Sequence, residues 1–122
     1  LISYRLERAN ESYDEAILMK KERHYNTCAN RLYYACFYAV LALMEKYDLR
    51  SGKHSGIKAF FNQYLIKTGK MDKKFGKLYN ELFNSRHEAD YIEFVRFDSE
   101  TVEPWFKEVK DFILTVEKLI EL

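Results

Sequence analysis

An uninterrupted apolar run in the second quarter of the chain restricts the fold more than any other sequence feature. Every residue from Tyr33 to Met44 is aliphatic, aromatic or cysteine. A helix that is apolar on all sides must be surrounded by protein. The run is also well short of the roughly 20 residues that a membrane span requires. We therefore predict a helix over Tyr25–Tyr47 that is either the centre of a helical bundle or covered by a second subunit.

Other helices are predicted where apolar residues recur at spacings of three and four. Their bounds are Ile2–Lys20, Ser55–Lys67, a helix that follows Asp72 and includes Leu82–Tyr91, and Thr101–Leu122. The first should bury Ile2, Leu6, Ala9, Tyr13, Ala16 and Ile17, and the helix over Ser55–Lys67 should bury Ile57, Phe60, Phe61, Tyr64 and Leu65. An irregular link over Glu93–Asp98 is expected to fold Phe94, Val95 and Phe97 inward.

The predicted helix ends rest on residues with known capping preferences. Asp72 and Thr101 are expected as N-caps, because their side-chain oxygens can accept from free backbone N–H groups. Gly69 is expected as a C-terminal cap, where a left-handed backbone is needed. If Thr101 is the cap, Pro104 occupies the third helical position and costs no helical hydrogen bond.

No stretch alternates apolar and polar residues as a strand would, and the 122 residues suit one domain. We predict an all-α fold, an up-and-down four-helix bundle with a short additional helix, formed by residues 1–122. Cys28 and Cys36 are eight positions apart, about 12 Å along a helix, which is too far for a disulfide. Two reduced thiols and the absence of a visible signal peptide favour a cytoplasmic location.

The charge of the chain is nearly balanced but unevenly distributed. The formal net charge is +1, so overall charge does not indicate nucleic acid binding. Residues 46–77, however, hold nine basic side chains against two acidic ones. This segment is either an ordinary solvated face or an edge that binds a polyanion. The three histidines have no metal-ligand spacing, so neither a metal nor a cofactor is expected.

The segment Leu82–Tyr91 is the candidate site, because a charge interrupts an apolar helical stripe. Phe83 is followed three residues later by Arg86, at a position where the spacing calls for an apolar side chain. A buried guanidinium must find anions or carbonyls. Asp90, four residues further, can pair with it along one face, and Tyr91 can border the same groove.

Two residues elsewhere could join this site. Arg31 shares a helical face with Tyr34 and Tyr38 and should be drawn inward. His54 precedes Ser55 at the start of a predicted helix, where free N–H groups and the helix dipole suit an anion. Alternatively, Ser55 is simply an N-cap with an exposed His54 beside it.

Four segments together resemble HEPN domains, most closely the small stand-alone prokaryotic members. They are Asn30–Ala39, His54–Lys58, Lys67–Gly69 and Arg86–Tyr91, in that order along the chain. The resemblance implies an up-and-down helical bundle that often forms a homodimer. It also implies pairing with a small nucleotidyltransferase as a toxin–antitoxin module.

Many HEPN proteins are metal-independent ribonucleases with an arginine, four to six residues, and then a histidine. Arg86 matches that arginine, but Tyr91 stands where the histidine could begin, and no histidine lies within reach. Losing it removes the usual acid or base for attack by a 2′-hydroxyl, and a tyrosine with a pKa near 10 replaces it poorly at neutral pH.

Three interpretations therefore stay open. The first is a non-enzymatic module that binds nucleotide or RNA, with the ligand-binding residues Arg31, His54, Arg86, Asp90 and Tyr91. The second is a ribonuclease toxin with a non-standard set, for which Arg86, His87 and Tyr91 are weak catalytic candidates and His54 an alternative base. In that setting Tyr91 could also accept a nucleotide from the partner. The third is a helical dimer whose polar cluster is only structural.

Overall fold

The computed structural model describes residues 1–91 and 95–121, and all regular structure in those ranges is helical. This confirms the predicted all-α fold. The helices are α1 (Ile2–Lys21), α2 (Tyr25–Lys46), α3 (His54–Phe60), α4 (Lys73–Tyr91) and α5 (Ser99–Glu121). A π-helical segment, Phe61–Ile66, directly continues α3. No helix within the described ranges is long and apolar enough to cross a membrane.

Helix α2 is the centre of the structure, as the apolar run predicts. It packs against α1, α4 and α5, and its middle also meets α3 at His54. Its buried residues, including both free cysteines, are Cys28, Ala29, Leu32, Tyr33, Ala35, Cys36, Phe37, Ala39, Val40, Ala42, Leu43 and Met44. The helices of the same chain therefore cover most of the apolar run of α2, and within Tyr33–Met44 only Tyr34, Tyr38 and Leu41 stay partly exposed.

Helix α1 contacts α2 through a narrower face than its apolar spacing predicts. Its buried residues are Ala9, Ser12 and Ala16, which are all small. Small side chains let the backbones of two helices approach closely. Ile17 is 44% exposed, so its predicted burial is wrong.

The segment after α2 departs from prediction at its start and agrees at its end. The N-cap of α3 is Lys53, so Ser55 lies inside the helix and the Ser55 cap is wrong. Gly69 has φ +78°, which confirms the predicted left-handed cap. The Asp72 cap is also confirmed, because the Lys74 amide donates to Oδ1 of Asp72 at 2.9 Å.

The π-helical segment explains a second difference between prediction and structure. The Lys67 amide donates to the Asn62 carbonyl five residues earlier, which widens the turn. Phe61 and Leu65 stay in the core, whereas Tyr64 is 49% exposed and stacks on Phe60 with ring centroids 5.3 Å apart. The predicted burial of Tyr64 is therefore wrong, because the wider turn rotates it outward.

Helix α5 begins earlier than predicted, and its cap is Asp98 in place of Thr101. The backbone amide and the hydroxyl of Thr101 both donate to Asp98 Oδ1, at 2.9 and 2.8 Å. Pro104 consequently lies inside the helix and not in its third position. Because proline has no N–H, the Glu100 carbonyl loses its helical donor.

Asn26 in the first turn of α2 holds the segment that precedes α5. Its amide group donates to the Val95 carbonyl at 2.8 Å, and its Oδ1 accepts from the Phe97 amide at 2.9 Å. Phe97 then packs edge-on against Trp105. Val95 and Phe97 are thus partly buried as predicted, while Phe94 lies outside the described residues.

Lys46 at the end of α2 ties down the end of α5, which generates a stability prediction. Its Nζ donates to the carbonyls of Leu119 and Ile120, at 2.7 and 3.2 Å, and such terminal carbonyls have no helical donor. We expect Lys46→Met to lower the free energy of unfolding by about 1 kcal/mol. Urea denaturation followed by circular dichroism measures this difference.

The matched control is Lys77→Met, because Lys77 is exposed and makes no hydrogen bond or ion pair within the described residues. It should change the free energy of unfolding by less than about 0.5 kcal/mol. Equal effects of the two substitutions would show that the Lys46 contacts do not stabilise the fold.

Candidate anion-binding site

Arg86 lies in the second half of α4, and its side chain is largely buried against aromatic rings. Only 9% of the residue is exposed. Its Cζ lies 5.0 Å from the centroid of the Tyr33 ring and 5.9 Å from those of Phe83 and Tyr91. Aromatic faces attract a guanidinium electrostatically. The rings therefore support the charge without using its hydrogen-bond donors.

The predicted pairing of Arg86 with Asp90 is not formed. Asp90 Oδ2 instead accepts a hydrogen bond of 3.0 Å from the side chain of Asn30 on α2. Within the described residues Arg86 makes no ion pair, and its buried Nε has no hydrogen-bond partner. The reason is the Tyr33 ring, which holds the guanidinium near α2 while Asn30 draws Asp90 to a different neighbour.

His54 lies beside the same ring. Its Nδ1 is 2.8 Å from the Tyr33 hydroxyl, and its imidazole stacks on Phe37 at a centroid distance of 4.5 Å. It is therefore neither the exposed neighbour of a Ser55 cap nor an isolated group at a helix end. The structure brings His54 and Arg86 together through Tyr33, although they are far apart in sequence.

The surroundings of His54 favour its neutral form. Burial lowers the pKa of His54 below its usual 6.5, and the nearby positive charge of Arg86 lowers it further. Burial also raises the pKa of Tyr33 to about 12, so its phenol stays protonated. At neutral pH the positive charge of this group is therefore carried by Arg86.

Arg31 lies in a separate network and is already engaged. Its Nη1 pairs with Glu15 at 3.1 Å, while Nε and Nη2 both donate to Oδ1 of Asn30 at 3.0 and 2.9 Å. Its Cζ lies 5.0 Å from the Tyr34 ring centroid, which agrees with the predicted shared face. Asn30 thus joins Arg31 to Asp90, and neither of these residues contacts the Arg86 guanidinium through a hydrogen bond.

His87 and Tyr91 form the exposed border of the site. Their ring centroids are 5.1 Å apart, and Tyr91 is 68% exposed. An exposed aromatic ring beside a buried cation suits a ligand that has both a planar and an anionic group. Neither residue has a hydrogen-bonded acid or base partner within the described residues.

Lys58 is a further cation of this site that the sequence reasoning did not single out. Its Nζ lies 4.6 Å from the centroid of the Phe83 ring, which Arg86 also approaches. Lys58 follows His54 by four residues, so both lie on one face of α3. The four-residue spacing could have indicated that Lys58 shares a face with His54. Which residues this face meets depends on the packing of α3 against α4.

In the ranges 1–91 and 95–121 no group of three or more His, Cys, Asp or Glu side chains could hold a metal ion.

The fold and sequence of this chain define its class. The family model described as the HEPN domain matches residues 2–119, and the chain belongs to the HEPN family. It is similar to a protein named "UPF0332 protein" from Thermotoga maritima, with 43% identity over 99% of this chain and 92% of that relative.

Two relatives from Methanocaldococcus jannaschii bear the name of toxins. This chain is 31% identical to "Putative toxin MJ0142" over 80% of its own length and 67% of that relative. It is 26% identical to "Putative toxin MJ0605" over 95% of its own length and 81% of that relative. Both relatives are similar to this chain over most of its length, and the printed name of each contains the word toxin.

The charge of Arg86 should be measurable at His54. We expect Arg86→Met to raise the pKa of His54 towards 6.5, because the substitution removes the positive neighbour while burial persists. Titration of the imidazole protons by NMR gives both values. Lys110→Ala, which removes a charge on α5 where Nζ lies over the Tyr13 ring, is the control and should leave that pKa unchanged.

The lowered pKa of His54 also predicts how the free energy of unfolding depends on pH. Because the folded pKa lies below the unfolded one, the unfolded chain binds this proton more readily. His54 should therefore lower the free energy of unfolding as the pH falls below 6.5 and have no effect well above it. Substituting His54 by Gln should flatten that part of the stability profile, and an unchanged profile would contradict the assignment.

Proposed function

We propose that this chain is the HEPN half of a toxin–antitoxin-type pair with a small nucleotidyltransferase, and that it binds nucleotide or RNA at the site around Arg86. We place it in the cytoplasm, which the two free cysteines favour, and take it as a homodimer, as the resemblance to HEPN modules implies. The similarity to two proteins named as toxins supports the toxin–antitoxin part. The environment of Arg86 supports the ligand.

The observation that carries the binding proposal is a cation that is nine-tenths buried and lacks an anionic partner in the described residues. Leaving such a group without hydrogen bonds costs free energy, and an anion would recover it. The planar guanidinium offers two parallel donors, a geometry that fits phosphate oxygens better than an ammonium group. Phosphate is the group that nucleotides and RNA present.

Tyr91, His54 and Asp90 have different parts in this proposal. Tyr91 supplies an exposed ring on which a base can stack, and His54 keeps Tyr33 in place beneath the guanidinium. Asp90 is held away by Asn30, so it does not neutralise Arg86. Arg31 contributes less than the sequence suggested, because Glu15 and Asn30 already occupy its donors.

Arg86→Met tests the phosphate contact. Methionine can still pack on the rings of Tyr33 and Phe83, so the fold should persist. We expect binding of a labelled single-stranded RNA, measured by fluorescence anisotropy, to weaken by about tenfold or more, because a charge-assisted hydrogen bond is lost. Arg86→Lys should recover only part of that loss, since lysine lacks the planar fork.

The control for this experiment is again Lys110→Ala, which removes a positive charge away from the site. Circular dichroism of each variant verifies the fold. RNA or nucleotide binding that is equally strong in Arg86→Met and in the control would overturn the assignment of this site. If Arg86→Met loses its helical signal and therefore does not fold, RNA binding is compared between Arg86→Lys and the unmodified protein.

The partner is tested separately. We expect the chain, produced together with the product of the adjacent gene, to elute from a size-exclusion column as a complex with that product. Alone, it should elute at the size of a dimer. If the adjacent product is not a nucleotidyltransferase, or no complex forms, the pairing proposal fails while the anion site stands.

A metal-independent ribonuclease is the second candidate, and the position of His54 favours it. Burial and the nearby positive charge of Arg86 both lower the pKa of His54, so its imidazole is neutral at pH 7. A neutral imidazole can take the proton of a 2′-hydroxyl while the hydroxyl oxygen attacks the adjacent phosphorus. The bond from phosphorus to the 5′-oxygen breaks, and the leaving oxygen takes a proton from water. Because its pKa is lowered, the imidazole is present at neutral pH in the unprotonated form that a general base requires.

Cleavage of total RNA in the presence of a chelator tests this candidate. An active enzyme should lose at least about a hundredfold in rate on His54→Gln, in line with the contribution of general base catalysis. Retained cleavage in that variant would exclude His54 as the base. No cleavage by the unmodified protein would leave the binding function alone.

A further inference from the structure

Two positive groups from different helices meet at the ring of Phe83. Nζ of Lys58 on α3 lies 4.6 Å from its centroid, and Cζ of Arg86 on α4 lies 5.9 Å away. Phe83 itself is partly buried. Both cations therefore lie beside one aromatic side chain.

Neither cation is neutralised by an acidic side chain of the described residues. Lys58 and Arg86 form no ion pair within the described residues, where the ion pairs involve Arg8, Lys20 and Arg31. Like charges repel each other, and an anion that contacts both cations would offset that repulsion. An aromatic ring offsets this repulsion only modestly, since a cation–π contact is a weak attraction.

The position of the pair within the chain indicates what kind of anion fits. Lys58 belongs to the basic segment 46–77, and Arg86 lies beside the exposed ring of Tyr91. Lys58, Arg86 and the ring of Tyr91 thus follow one another, because Lys58 and Arg86 both approach the Phe83 ring and Arg86 also approaches Tyr91. A single nucleic acid strand presents the matching series of phosphates followed by a base.

We propose that Lys58 and Arg86 bind two consecutive phosphates of one RNA strand, with a base stacked on Tyr91. This inference rests on the proposed function, because it takes Arg86 as the phosphate contact. It adds Lys58 as a second binding residue and states that the ligand is a strand of at least two linked nucleotides, so a mononucleotide occupies only half of the site.

The experiment measures binding of a ten-nucleotide single-stranded RNA as a function of salt concentration. Each phosphate contact on a single strand contributes about 0.7 to the slope of log affinity against log salt. Lys58→Ala should weaken binding about fivefold to tenfold and make the slope shallower by about 0.7. Lys58→Arg keeps the charge and the contact with Phe83, and it should restore both values.

Lys110→Ala is the matched control, because it removes the same charge and a similar contact of Nζ with an aromatic ring, at 5.3 Å from the Tyr13 centroid. It should leave affinity and slope close to those of the unmodified protein. Adenosine monophosphate is the probe for half of the site. Its affinity should fall with Arg86→Met and stay within about twofold in Lys58→Ala.

The outcomes separate this inference from the function on which it rests. If Arg86→Met abolishes RNA binding while Lys58→Ala behaves like Lys110→Ala, the proposed function stands and the second phosphate contact is overturned. If Arg86→Met has no effect on RNA binding, the proposed function itself fails. If adenosine monophosphate binds as tightly as the RNA, the ligand is a mononucleotide and the proposal is wrong.

Discussion

The buried ring of Tyr33 is the contact on which the geometry of the candidate site depends. It is fully buried on the central helix, and it touches groups from two other helices. Its face supports the guanidinium of Arg86, and its hydroxyl meets the imidazole of His54. A buried phenol needs a hydrogen-bond partner. The same side chain that fills the core therefore also orients a histidine and an arginine on its surface.

Two arginines in this chain show how neighbours decide what one residue type does. Arg31 donates hydrogen bonds to Glu15 and Asn30, and it thereby belongs to a network that joins α1 and α2. Arg86 is more deeply buried, yet it is supported by rings, and its Nε has no hydrogen-bond partner within the described residues. Aromatic support stabilises a cation modestly and leaves its N–H groups available. The buried arginine is consequently the better candidate for a ligand.

The helices were predictable because their signals are local. Apolar spacing predicts each helix, and the caps at Gly69 and Asp72 follow from backbone and side-chain chemistry within a few residues. The errors arise where competing local choices exist. Asp98 lies three residues before Thr101 and caps the helix instead of it, and a π-helical turn moves Tyr64 outward. Propensity alone does not rank such alternatives, because packing supplies the difference.

By itself, the sequence determined an all-helical chain around one fully apolar helix and an arginine on the apolar stripe of another. Both follow from periodicity, which depends only on neighbouring positions. Only the tertiary structure decided which groups surround that arginine. It placed Asp90 with Asn30, brought His54 to Tyr33, and set Lys58 on the ring of Phe83. These contacts join different helices, and their distances depend on how the helices pack, which no local pattern encodes.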